Sequence, residues 1–235
     1  MQRWVLAAVA VILSVGATRA EESAGAELAE RYGLPGWGQI DRIDFEFHAE
    51  LPGRDKPISR YWSWDVVGNR VTLVRGDGGS SVTVPAAHPG PGFTVEEASV
   101  HGQFINDSYW LLFPFQLVWS DPTITDHGPA ALPIGGGEAA KKLTCRWPAE
   151  GGYTPGDAYD LYLGDDGLIK QWDFRRGGGD QGFPATWDDH RQLGPIVVSL
   201  DHHGPEGSGF RLWFTGVQAT LTDGTVVAPA PMDAR

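Results

Sequence analysis

Asp126-His127, Asp188-Asp189-His190 and Asp201-His202-His203 each set an imidazole beside a carboxylate. General acid–base catalysis and zinc-assisted hydrolysis both use that pairing. A zinc ion needs three or four such ligands converging on one point, and adjacent residues of a strand project to opposite faces. His202 and His203 can therefore share an ion only within a turn, which Gly204-Pro205 permits. Neither His-Glu-x-x-His nor Cys-x-x-Cys occurs. One reading is a metal-dependent hydrolase built on His202, His203 and Asp126 or His127. The plainer reading is surface or turn histidines, with no metal and no cofactor. Gly-x-Ser-x-Gly is absent, and Ser80-Ser81 and Ser208 lie in Gly-rich turns without a strand-to-helix elbow. Gly135-Gly136-Gly137-Glu138-Ala139-Ala140 matches Gly-x-Gly-x-x-Ala but follows no apolar strand, so it reads as a loop and not as a phosphate cradle. No catalytic signature emerges.

The aromatic residues carry a stronger signal. Nine of the ten Trp lie beyond residue 20, and Trp62, Trp64, Trp110, Trp147, Trp172 and Trp213 fall where strand faces are expected. Wide rings gathered on one concave face line an apolar pocket with a few polar handles. Such a pocket holds a greasy ligand through area alone, at roughly 25 cal/mol per Å² buried. The candidate ligand-binding residues are Phe45, Phe47, Trp62, Trp64, Trp110, Leu112, Leu161, Trp172, Leu212 and Phe214. Exposed Trp would instead suit a carbohydrate-binding module that stacks sugars.

The elements that must position these side chains are mostly strands. Ile43, Phe45, Phe47 and Ala49 alternate with polar neighbours, as do Ile58, Arg60, Trp62, Trp64 and Val66. Further runs span Arg70 to Arg75, Ser81 to Val84, Tyr159 to Leu163, Leu168 to Phe174, Ile196 to Leu200, Phe210 to Thr215, Val217 to Leu221 and Thr225 to Val227. Tight turns such as Gly76-Asp77-Gly78-Gly79, Asp165-Asp166-Gly167 and Asp223-Gly224 join several of them. Strands so joined run antiparallel, and about ten of them must curl or close to hide their edges. Cys145 alternates with polar neighbours and reads as a buried strand residue. Two helices are predicted. The first runs from Ser23 to Tyr32 and is stopped by Gly33 and Pro35. The second opens on the capping box Thr94-Val95-Glu96-Glu97 and continues to about Asn106. Thr123 to Ala140, rich in Gly and Pro without a period, reads as a long loop.

The chain has 235 residues, with 32 Gly, 17 Pro and 41% hydrophobic side chains. That composition supports a core and excludes a coiled coil or a long-helix bundle. No composition shift or repeat marks a second domain. A formal charge of −12 leaves no basic surface for nucleic acid or anionic lipid. Met1-Gln2-Arg3, the apolar run Trp4 to Val15 and Thr18-Arg19-Ala20 form a signal peptide cleaved after Ala20, its core too short to span a bilayer. Cleavage removes Arg3 and Arg19 and takes the charge from −12 to −14. The expected organisation is a leader over 1–20 and one domain over 21–235, with no later membrane span. The product is exported, to the periplasm if the source is Gram-negative and otherwise secreted.

Phe104-Ile105-Asn106-Asp107-Ser108-Tyr109-Trp110-Leu111-Leu112-Phe113-Pro114-Phe115 resembles a segment of exported bacterial proteins similar to the LolA/LolB family of periplasmic lipoprotein carriers. A second block, Tyr153 to Tyr159 running through Leu161-Tyr162-Leu163 into Trp172, resembles a strand pair of those proteins, and Leu34-Pro35-Gly36-Trp37 fits the same layout. The resemblance implies a mainly β fold, a curved antiparallel sheet forming an unclosed half-barrel around helices. It also implies a hydrophobic small molecule or acyl chain as partner on the concave face. It carries over no catalytic residue and names no partner protein.

Overall fold

A computed structural model describes residues 24–76, 79–86, 92–150 and 155–232. The predicted leader and its cleavage site lie outside the described residues, as do Asp77-Gly78 of one turn and Tyr153-Thr154 of the second block. Alternation sets the central strand. Ile43, Phe45, Phe47 and Ala49 of β1 (Ile40–Glu50) are all buried on one face. β1 pairs on one side with β2 (Ile58–Asp65), which continues to β3 (Arg70–Val74) and β4 (Val82–Pro85). On its other side lies β12 (Arg211–Leu221). Here the register shifts between Asp44 and Glu46, opposite Gly216 at φ 59°. Such a bulge bends the strand pair and helps the sheet curl.

β12 pairs with β11 (Ile196–His203) and, through two residues, with β13 (Val226–Val227). Beyond β11 come β10 (Asp188–Leu193) and β14 (Ala230–Pro231). A second antiparallel sheet runs β5 (Thr123–Ala131), β6 (Ala139–Arg146), β7 (Ala158–Leu163), β8 (Ile169–Arg175) and β9 (Phe183–Thr186). Only Trp187 separates β9 from β10, so one nearly continuous strand passes from the second sheet into the first. Thr186 Oγ1 accepts from the His203 amide at 2.9 Å across that junction. The result is one curled antiparallel wall that does not close, with β4 and β5 as its separated edges. This is the mainly β half-barrel architecture that the sequence resemblance implies.

α1 (residues 24–31) buries Ala24, Leu28 and Ala29 together with the following Tyr32. Gly33 ends it at φ 90°, where a Cβ would run into the Pro195 carbonyl. α2 (Val95–Trp119) links the two open edges, β4 and β5, and so crosses the hollow. Its start is the predicted capping box: Thr94 Oγ1 accepts from the Glu97 amide at 3.2 Å, and Glu97 Oε2 accepts from the Thr94 amide at 2.8 Å.

The helix does not stop near Asn106 but continues to Trp119, through a break at Leu112 (φ −128°, ψ 22°) that accommodates Pro114. From Tyr109 to Leu117 it is apolar apart from Gln116 and mostly buried within the curled wall, so it lacks the stripe by which a surface helix is recognised. Trp110 accordingly stands on this helix and not on a strand. Thr123 to Ala140 is not a loop, because most of it forms β5 and its hairpin into β6. β5 is an edge strand, which tolerates Pro129, and a register shift between Asp126 and Gly128 (φ 68°) absorbs the glycine.

Candidate functional site

The hollow is largely filled by α2. Phe104 packs edge-on against Trp62 and Trp64, and Phe113 against Trp172 and Trp187. Room remains beside the first half of the helix, where a cleft of about 440 Å³ opens. The first sheet supplies Phe47 and Ala49 from β1, Ile58 and Arg60 from β2, and Leu212 from β12 with Phe210 just before it. The second sheet supplies Tyr159, Trp172 and Phe174. α2 contributes Gly102, Ile105, Asn106, Tyr109 and Trp110, and Leu51, Asp157 and Arg176 complete the lining. Because the helix is seated between the two sheets, its i, i+4 neighbours Ile105 and Tyr109 face one space.

Of the ten residues singled out in the sequence, Phe47, Trp110, Trp172 and Leu212 line this cleft. Phe45, Trp62, Leu112, Leu161 and Phe214 are packed in the surrounding core and do not line it. Trp64 sits on an aromatic cluster with Trp37, whose ring also meets Phe115 and Trp119.

One charged pair is built into the cleft wall. Arg60 Nε and Nη2 donate to the two carboxylate oxygens of Asp107, both at 2.6 Å, and Trp62 Nε1 donates to the same group at 2.8 Å. Asp107 is fully buried and does not line the cleft, whereas Arg60 does. Burial pushes the Asp107 carboxyl up, while Arg60, Asn106 and Trp62 pull it back. The Arg60 guanidinium also lies 4.7 Å from the centre of the Phe47 ring. Trp172 has an indole N–H with no hydrogen-bond partner among the described residues.

The histidine–carboxylate runs are not brought together. His202 and His203 point to opposite faces of β11, as strand geometry requires. His202 is fully buried between Trp110 and Trp187, its Nδ1 donating to the Thr186 carbonyl at 3.1 Å, and burial pulls its pKa down to about 3. His203 pairs outside with Asp201 at 3.2 Å. Asp126 meets Lys141 and His127 meets Thr144 on the second sheet. His190 accepts from the Tyr32 hydroxyl, which itself accepts from the Ile169 amide. No group of three or more His, Cys, Asp or Glu among the described residues could hold a metal ion. A hydroxyl–imidazole pair does occur where His48 Nδ1 meets Ser59 Oγ at 2.8 Å, but neither residue lines this cleft.

A second, more polar cavity of about 510 Å³ lies between the β5–β6 turn and β8 to β10, bounded by Glu138, Lys170, Gln171 and His190 among others. Gln171 closes it with a two-way hydrogen bond to the Ile134 backbone, and Lys170 pairs with Glu138 at 2.7 Å. Its remaining acids are held by neighbours: Asp189 by Arg191, Asp188 by the Thr186 hydroxyl and Asp166 by the Leu168 amide.

Arg60 and Tyr159 were outside the residues chosen from sequence, although Arg60 left a signal. It occupies the inward parity of β2, in line with Ile58, Trp62 and Trp64, where a cation demands a buried partner.

No family model matches the chain, and no curated protein matches it. Among solved structures it is similar to a DUF1329 family protein from Desulfovibrio piger, at 9% identity over 86% of this chain and 92% of that one, with a TM-score of 0.46. It is similar to a LolA superfamily protein from Nitrosomonas europaea at 6% identity, over 82% and 92% of the two chains, with a TM-score of 0.45. A domain assigned to outer membrane lipoprotein sorting from Vibrio parahaemolyticus stands at 9% identity, over 88% and 94%, with a TM-score of 0.47.

Proposed function

We propose that this chain is an exported binding protein that holds a lipid or other hydrophobic ligand in the cleft between α2 and the concave face of the curled sheet. The observation that carries the reading is the cleft's volume of about 440 Å³ with walls of Phe, Trp, Tyr, Leu and Ile. That size is typical of small-molecule sites, which run from roughly 300 to 1,000 Å³. Area is the driving force here, with Phe47, Trp110, Trp172 and Leu212 as the anchoring side chains. A sugar-stacking surface is disfavoured, because it needs rings free in water, and the one exposed Trp among the described residues, Trp119 at 41%, packs its ring against Trp37 and Phe115.

The test is titration of the purified chain with a fluorescent fatty-acid probe. Saturable binding that unlabelled fatty acid displaces supports the reading. Linear, non-displaceable uptake removes it.

A further inference from the structure

The Arg60–Asp107 pair is oriented. Its anion is sealed behind the wall and its cation is the member that lines the cleft. Asp107 occupies Nε and Nη2 of Arg60, and no hydrogen bond is made by Nη1 among the described residues. Arg176, exposed just past the end of β8, lines the same cleft and has no ion-pair partner among the described residues. The carboxylate in the wall, Asp157, accepts from the Gly177 amide at 2.6 Å. Two guanidinium groups, one on β2 and one just past β8, thus border one apolar space in a chain whose formal charge is −12. Four other arginines are held by acids, Arg75 by Glu96, Arg175 by Asp160, Arg191 by Asp189 and Arg211 by Asp201, whereas Arg31, Arg42, Arg54, Arg70 and Arg146 have no ion-pair partner among the described residues but do not line the cleft.

Resting on the binding reading above, we infer that the cleft selects an amphiphile with an anionic head, the chain lying against Phe47, Trp110 and Trp172 and the carboxylate or phosphate meeting Arg60 and Arg176. Guanidinium groups are suited to such heads because they combine charge with several directed donors. Arg60 is also fixed before the ligand arrives, since Asp107 and the Phe47 ring already hold its guanidinium, so little side-chain freedom is lost on binding.

The experiment compares ligands of one chain length by displacement of a neutral fluorescent lipid probe at pH 8. The set is dodecanoic acid, dodecanol, the matching lysophosphatidic acid, and acetate and inorganic phosphate as heads without a chain. The acid and the lysophosphatidic acid are expected to bind about tenfold or more tightly than the alcohol. Acetate and inorganic phosphate should fail to displace the probe. Arg176→Gln, at an exposed position, should weaken binding of the acid several-fold more than binding of the alcohol. Arg60→Lys, which keeps a charge for Asp107, should narrow the acid-to-alcohol ratio. Equal affinity for acid and alcohol in the wild-type chain overturns head selection while leaving hydrophobic binding intact. Displacement by inorganic phosphate alone also overturns it, because the site would then read a free anion. Failure of every chain-bearing ligand and of the probe itself removes both readings together.

Discussion

Arg60 on β2 and Asp107 on α2 meet in a two-point pair, 2.6 Å at each contact, and so fasten the crossing helix to the sheet it fills. The contact is at once a support for the fold and one wall of the cleft. Removing one partner of a buried pair leaves the other uncompensated, which typically costs about 3–5 kcal/mol. Asp107→Ala is therefore expected to lower the unfolding free energy by about that amount in urea denaturation. A loss under about 1 kcal/mol would mean that the pair is solvated and not part of the wall.

His202 gives the fold an acid limit. Its pKa is about 3 in the folded chain against an ordinary value of 6.5, with burial as the leading cause. The unfolded chain binds this proton first as pH falls. Its stabilising contribution is complete above about pH 6.5 and is lost progressively as pH drops toward about 3. His190 shifts in the same direction, also through burial. Unfolding free energy measured from pH 7 to pH 4 should fall more steeply in the wild type than in His202→Phe. The expected difference approaches one proton, or about 1.36 kcal/mol per pH unit. Parallel slopes would place the imidazole in contact with water.

Trp110 and Phe113 stand on the same helix but do different work. Phe113 is fully buried among Tyr159, Trp172 and Trp187, so Phe113→Ala should cost about 3–5 kcal/mol of stability. Trp110 is only partly buried and lines the cleft, so Trp110→Ala should weaken probe binding at least severalfold with a smaller loss of stability. Thermal melts and probe titrations on both variants check the contrast.

Cys145 is the single cysteine and is fully buried in β6, where burial pushes its thiol well above the usual range. A thiol reagent is expected to leave the folded chain unlabelled and to react fully once urea unfolds it. Rapid labelling of the folded chain would contradict the packing of β6.

Much of the wall was legible in the sequence, because strand burial has a period of two and Phe45, Phe47, Trp62 and Leu212 obey it. The capping box at Thr94 announced α2 for a local reason, two reciprocal hydrogen bonds within four residues. The helix's length was hidden, because residues 107–117 are mostly buried and show no continuous polar face to set a period. β5 was hidden for the opposite reason. Only an edge strand can carry Pro129 and Gly128, and edge position depends on pairing partners distant in sequence. The candidate site was half legible. Phe47, Trp172 and Leu212 follow from strand parity and Trp110 from its ring alone, but which side chains face the remaining space depends on where α2 lies. Arg60 was visible as a charge in an apolar row, and its meaning required the sight of Asp107 behind it.

The central claim is that the cleft beside α2 takes up an apolar chain. It is tested most directly by incubating the protein with mixed lipid vesicles, recovering it by size exclusion and reading its organic extract by mass spectrometry. About one amphiphile per protein is the predicted result, reduced in Trp110→Ala. An extract free of lipid from fully folded wild-type protein would contradict it.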